Sequence, residues 1–94
     1  MNFEEFEELI LEAYENRCRS DLWLTACLMQ EAGELSENII KYVGYNKKYT
    51  KDAIISEAGD ILNFLTAILQ SHNLCLEDAM KDNIIKLKAR GWIK

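Results

Sequence analysis

Apolar residues fall into four stretches of helical period, and nowhere do they alternate as they would along a half-buried strand. The first stretch, roughly residues 2–16, brings Phe3, Phe6, Leu9, Ile10 and Tyr14 to one side. Asn2 is placed to cap it, and Glu4, Glu5 and Glu8 stand in the opening turns, where the helix dipole favours acids. The second begins near Ser20 or Asp21 and runs to about Val43, with Gly44 as its stop signal. Residues 44–50 read as a polar loop, and Thr50 is an N-cap for a third helix over about 51–71. A second turn, 71–75, leads to a fourth helix from about Leu76 to Arg90, ended by Gly91. No linker or low-complexity segment interrupts the 94 residues, so one domain spanning 1–94 is expected. Short connections make successive helices antiparallel. The predicted fold is all-α, an antiparallel four-helix bundle.

Two of these helices carry the same short acidic motif. Gln30-Glu31-Ala32-Gly33-Glu34-Leu35 in the second is echoed by Ser56-Glu57-Ala58-Gly59-Asp60-Ile61 in the third. Acids three residues apart share a helix face. At about 100° per residue, Leu24, Leu28, Leu35, Ile39 and Tyr42 lie beside Glu31, which therefore stands at the margin of an apolar stripe, with Glu34 on the other side. Ile54, Ile61, Phe64, Leu65 and Ile68 bracket Glu57 in the same way, and Asp60 takes the place of Glu34. The four acids are centred between Tyr45 and Asn46, inside the predicted loop. An antiparallel hairpin folded there brings Glu34 level with Glu57 and Glu31 level with Asp60. One such pair is ordinary surface charge; two in matched phase, partly inside apolar stripes, are not. Carboxylates so placed repel one another and take up protons unless a cation lies between them. An all-oxygen ligand set suits Mg²⁺, Mn²⁺ or Ca²⁺. A di-iron bundle requires Glu-x-x-His pairs, whereas the only histidine, His72, sits in a turn and reads as a surface residue.

The fourth helix holds different chemistry. Asn83 shares a face with Leu76, Met80 and Leu87, and an amide within an apolar stripe needs a partner. Lys86 at the stripe edge and Arg90 one turn on form a cationic rail that suits phosphate oxygens. Glu37 extends the first motif by a turn, as a second-metal or outer ligand or as surface charge. Lys41 lies on the Glu34 side and is a candidate phosphate contact. Trp23, on that side too, is a candidate to stack on a base, although a tryptophan in helical phase more often packs in a core or interface. Lys47, Lys48 and Lys51 read as solvated, and Trp92 as packing on the bundle or on a neighbouring subunit.

Composition narrows the partners. The chain has no proline and little glycine, as a helical protein should. A net charge of −5 argues against a nucleic-acid polymer as partner. It leaves room for a nucleotide, because a bound divalent cation inverts the local sign. Cys18, Cys27 and Cys75 are odd in number and lack metal-binding spacing, which reads as reduced thiols. With no signal peptide and no membrane-length apolar run, a cytoplasmic protein without a membrane partner is expected. So short a chain has a thin core, and self-association is expected.

Residues 30–37 and 57–62, with Leu76-Glu77-Asp78-Ala79 and the Asn83, Lys86 and Arg90 pattern, resemble the MazG-type all-α nucleoside triphosphate pyrophosphohydrolases over about residues 22–91. The compact length is similar to stand-alone, phage-type members. The resemblance implies Mg²⁺-dependent cleavage of a (deoxy)nucleoside triphosphate to the monophosphate and pyrophosphate, with Mn²⁺ as a substitute. It implies that Glu31, Glu34, Glu57 and Asp60 hold the metal and that Asn83 and Lys86 contact the nucleotide. It also implies homodimers or homotetramers with the site near a subunit interface. Glu34 and Glu37 are the candidate general bases for an in-line attack by water. Asn63 stands where many relatives carry a bulky residue, so a base preference does not transfer. Two other readings stand beside this one: a non-enzymatic oligomeric binding module, and an enzyme like the phosphoribosyl-ATP pyrophosphatases.

Overall fold

The structure, a computed structural model, describes residues 1–45 and 51–94, with the backbone alone described at 42–45. Four helices form: α1 (Phe3–Ala13), α2 (Asp21–Tyr45), α3 (Lys51–Ser71) and α4 (Leu76–Ala89). No strand occurs among the described residues, and the fold is all-α. No described helix is long and apolar enough to cross a membrane. The polar loop, the Thr50 cap, Lys47, Lys48 and the Tyr42 side chain lie outside the described residues.

Local chemistry sets the helix ends. The Asn2 side chain accepts the Glu5 amide at 2.8 Å, which opens α1 where the sequence places its cap. The helix closes at Ala13, earlier than its apolar period suggests. Two arginines beyond it fold back on its orphan carbonyls. Arg17 donates to Ala13 at 3.0 Å, and Arg19 donates to Tyr14 at 3.1 Å and Leu11 at 3.0 Å. Ser20 caps α2, its hydroxyl accepting the Trp23 amide at 3.2 Å. Gly44 does not stop this helix, which continues to Tyr45. A helical glycine costs only about 1 kcal/mol, and it ends a helix only where the backbone turns left-handed.

That turn occurs at two other places. Asn73 has φ 59° and Gly91 has φ 75°. Behind them the amides of Leu74 and Trp92 reach back to Leu69 and Leu87, each at 2.9 Å, closing α3 and α4 with Schellman motifs. At the start of α4, the Asp78 carboxylate accepts from the Cys75 amide at 3.0 Å and its thiol at 3.2 Å. The Glu7 carboxylate of α1 accepts the Leu76 amide at 3.1 Å.

α3 is the central helix, packed against α2 and α1. Ile10, Tyr14, Leu24 and Ala67 form the core, with Phe6, Phe64 and Ile68 against it. The core therefore sits where the start of α2 meets the end of α3. Gln70 donates to the Glu7 carbonyl at 2.8 Å across this region, and buried Thr66 satisfies itself on the Leu62 carbonyl at 2.7 Å. The other end of the hairpin is open: Ile39, Ile40, Ile54 and Ile55 are exposed. α4 is held by buried Leu76 and half-buried Leu87. Trp92 does not pack on the bundle; it is 75% exposed, because the left-handed turn at Gly91 carries the chain away. The radius of gyration, 15.6 Å, exceeds the roughly 12 Å of a compact chain of this length.

Candidate functional site

The acidic motifs lie midway along α2 and α3, between the packed and open ends of the hairpin. Leu28 and Leu35 on α2, with Ile61, Phe64 and Leu65 on α3, are half-buried and hold the two helices together at this level. The acids beside them are carried to the seam. Glu31, Glu57 and Asp60 each offer an oxygen, and these oxygens lie within 4.8 Å of one another. Gly33 and Gly59 leave the helix surface bare, with no atom within 4 Å of where a Cβ would stand.

Electrostatics at this seam are unresolved by the chain itself. Glu57 Oε2 is buried and has no hydrogen-bond partner among the described residues. Burial pushes the Glu31 carboxyl up to about 7, helped by the neighbouring charges of Glu34, Asp60 and Glu57. Glu31 also hydrogen-bonds Glu34, which two carboxylates can do only if one keeps its proton. Glu34 is thus beside the group but outside its three closest members, and its Oε1 accepts a long 3.5 Å bond from Gln30. An oxygen-only cluster with one orphaned buried oxygen and one carboxyl inclined to hold a proton fits a hard divalent cation.

The other candidate residues are placed differently. Glu37 and Lys41 pair with each other at 2.7 Å on the exposed side of α2, and the ammonium holds the Glu37 carboxyl below its usual range. Trp23 meets Phe64 edge-on at 6.1 Å between centroids and keeps part of its ring exposed. Asn83, Lys86 and Arg90 are exposed on α4. On the face that Asn83 shares, Leu76 is buried and Leu87 half-buried, whereas Met80 and Asn83 itself are exposed. Lys86 pairs with Asp82 at 2.9 Å, and Arg90 is the C-cap of α4.

Two features were not foreseen. Tyr14, only 5% exposed, faces the side chain of Asn63, which follows Asp60 by one turn. Burial raises the phenol above its usual value, the Asn63 amide draws it back in part, and Cys27 lies near. A polar residue on the α1-facing side of α3 was the available signal. His72, exposed as expected, bonds Asp21 at 3.0 Å, and Ser71 reaches the same carboxylate oxygen at 3.3 Å. The Ser71 hydroxyl gives its one proton to the Ile68 carbonyl at 2.7 Å and Asp21 holds the imidazole, so the trio is a clasp between α2 and α3 and not a nucleophile relay.

No curated protein and no solved structure gives a significant match. The family model described as the MazG nucleotide pyrophosphohydrolase domain, by contrast, matches residues 19–91, from the capping turn of α2 through the close of α4. That span takes in both acidic motifs and nearly all of the helical frame that presents them, and the chain belongs to the MazG nucleotide pyrophosphohydrolase domain family.

Proposed function

We propose that the protein is an Mg²⁺-dependent pyrophosphohydrolase that converts a (deoxy)nucleoside triphosphate to its monophosphate and pyrophosphate. The observation that carries this reading is the buried Glu57 Oε2, without a partner among the described residues, within a cluster of three close carboxylates. Glu31, Glu57 and Asp60 hold the metal with Glu34 beside them, and Mn²⁺ can replace Mg²⁺. The bound cation supplies charge neutralisation for the phosphates and acidifies water.

The protein's own groups do the rest. Glu34 stands outside the tight group and retains lone pairs with which to orient a water and accept its proton. Glu37, its basicity lowered by Lys41, is the weaker candidate base. The water oxygen attacks one phosphorus of the α–β anhydride in line, the bond from that phosphorus to the bridging oxygen breaks, its electrons stay with the bridging oxygen on the departing phosphate, and the water proton passes to Glu34. Trp23 offers a partly open ring for the base, and Lys41 can turn from Glu37 to a phosphate. Asn83, Lys86 and Arg90 are exposed on α4, and we assign them to the nucleotide of a second copy in a homodimer or homotetramer. The expanded chain and its exposed isoleucines support that assembly.

The test is a panel of canonical and modified (deoxy)nucleoside triphosphates and phosphoribosyl-ATP, with and without Mg²⁺, with products resolved. Monophosphate plus pyrophosphate, lost with EDTA and in Glu57→Ala, is the expected result. A folded, metal-loaded protein that turns over none of them overturns the proposal in favour of a binding module.

A further inference from the structure

α4 is lightly attached to the rest of the chain. Leu76 at its head is buried and Leu87 half-buried, while Met80, Ile84 and Ile85 between them are 46%, 44% and 67% exposed. Its ion pairs, Glu77–Lys81 and Asp82–Lys86, lie within the helix. Its own N-cap is weak: Cys75 stands where Ser, Thr, Asp or Asn is preferred, and its thiol, a poor acceptor, gives its proton to Asp78 at 3.2 Å. The Leu76 amide, an orphan donor at the positive end of the helix, is answered from α1, where the Glu7 carboxylate accepts it at 3.1 Å. Glu7 is itself held, since its carbonyl accepts the Gln70 side chain of α3 at 2.8 Å. One residue thus ties three helices together, beside a groove that Phe3, Glu4, Cys75 and Met80 line between α1 and α4. Among the described residues no other side-chain hydrogen bond or ion pair joins α4 to another helix.

We propose that Glu7 is a positioning residue, whose carboxylate caps α4 and fixes the direction in which that helix carries Asn83, Lys86 and Arg90. Buried Leu76 sets where the head of α4 sits. The carboxylate sets how the helix points, because a first-turn amide projects along the helix axis and its bond is aligned only over a narrow range of tilt. The leverage is large: Leu76 to Arg90 spans about 21 Å, so a tilt of about 15° at the head carries Arg90 about 5 Å, further than a hydrogen bond reaches. Glu7 lies ahead of residues 19–91, so membership of the family assigns it no role. The part that the rail plays in nucleotide binding rests on the functional reading; the cap does not.

Glu7→Ala and Glu7→Gln test it, with Glu8→Ala, at an exposed position one residue on, as the control. Amide hydrogen exchange is followed along the whole chain, and steady-state turnover with the nucleotide that the panel ranks first. In Glu7→Ala, exchange at the head of α4 should rise about tenfold while α2 and α3 keep their protection. KM should rise about five- to tenfold with kcat within about twofold, because the acids of the seam are untouched. Glu7→Gln keeps an acceptor oxygen and should recover most of both effects, and Glu8→Ala should match the parent. Unchanged exchange at the head of α4, a loss confined to kcat, a rise in exchange over all four helices, or a Glu7→Gln protein no better than Glu7→Ala would overturn the proposal. Should Glu7→Ala not fold, Glu7→Gln decides against Glu8→Ala: a smaller rise confined to α4 supports the cap, and none removes it. A parent that turns over no nucleotide, with the exchange change still confined to α4, counts against the enzyme reading and supports the cap.

Discussion

The packed end and the middle of the α2–α3 seam solve opposite problems with the same helices. Around Leu24, Thr66 and Ala67 the side chains are buried and their polar atoms answered. Thr66 bonds its own helix, Gln70 bonds α1, and Asp21 clasps Ser71 and His72. About two helical turns along, the seam holds three carboxylates whose oxygens approach within 4.8 Å and one buried oxygen with no partner among the described residues. The first region lowers the energy of the folded chain. The second raises it unless something positive enters. Unanswered polarity of this kind, on a frame that satisfies polarity elsewhere, marks a binding site.

Breaking each region should therefore have different consequences. The largest effect is expected at the acids: Glu57→Ala should cut nucleotide turnover by at least about a thousandfold. In the metal-free state the same change should leave the melting temperature unchanged or higher, because it removes an unpaired buried oxygen. Parallel product assays and thermal melts in EDTA check both halves, and a Glu57→Ala protein that unfolds would erase the contrast. At the packed end, Leu24→Ala should cost about 2–5 kcal/mol in denaturant titrations, with loss of activity only as folded protein is lost.

The contrast sharpens with pH and metal. The Glu31 carboxyl holds its proton more tightly folded than unfolded, at about 7 against 4.5. Its contribution to stability is therefore complete below about 4.5 and is lost as pH rises to about 7. Melts in EDTA should fall across that window. Excess Mg²⁺ should raise the melting temperature near neutral pH and flatten the decline, since the cation takes the proton's place. A metal-free protein equally stable at pH 4.5 and 7 would remove Glu31 from the account. The smallest effect is expected at the clasp: Asp21→Asn breaks an exposed pair and should cost well under about 1 kcal/mol, leaving the Mg²⁺ response intact.

Much of the frame was legible before any coordinates, because its signals are local. Helical period placed four helices, and Asn2 marked the start of the first. The phase argument set Glu31 and Glu57 at the edges of apolar stripes, where they are half-buried. The misreadings arose where a distant group changes a local preference. Arg17 and Arg19 reward an early end to α1 by covering its carbonyls. Gly44 carries a weak cost that a long helix absorbs, whereas Gly91 stands where the backbone turns left-handed. Of the two placements read for Trp92, the turn before it removes packing on its own bundle, and packing on a neighbouring subunit stands as an expectation.

The sequence by itself determined which residues are helical and which side of each helix is greasy, because both follow from side-chain identity repeated at the period of the backbone. It also carried the family, through motifs spaced along that period. Tertiary structure decided which acids share a space: Glu31, Glu57 and Asp60 close together, Glu34 just outside, Glu37 drawn off by Lys41. It also decided that Tyr14 would face Asn63 and that α4 would leave its apolar side uncovered. Such neighbours depend on the offset and rotation of one helix against another, and those are set by the sum of many weak contacts across the seam.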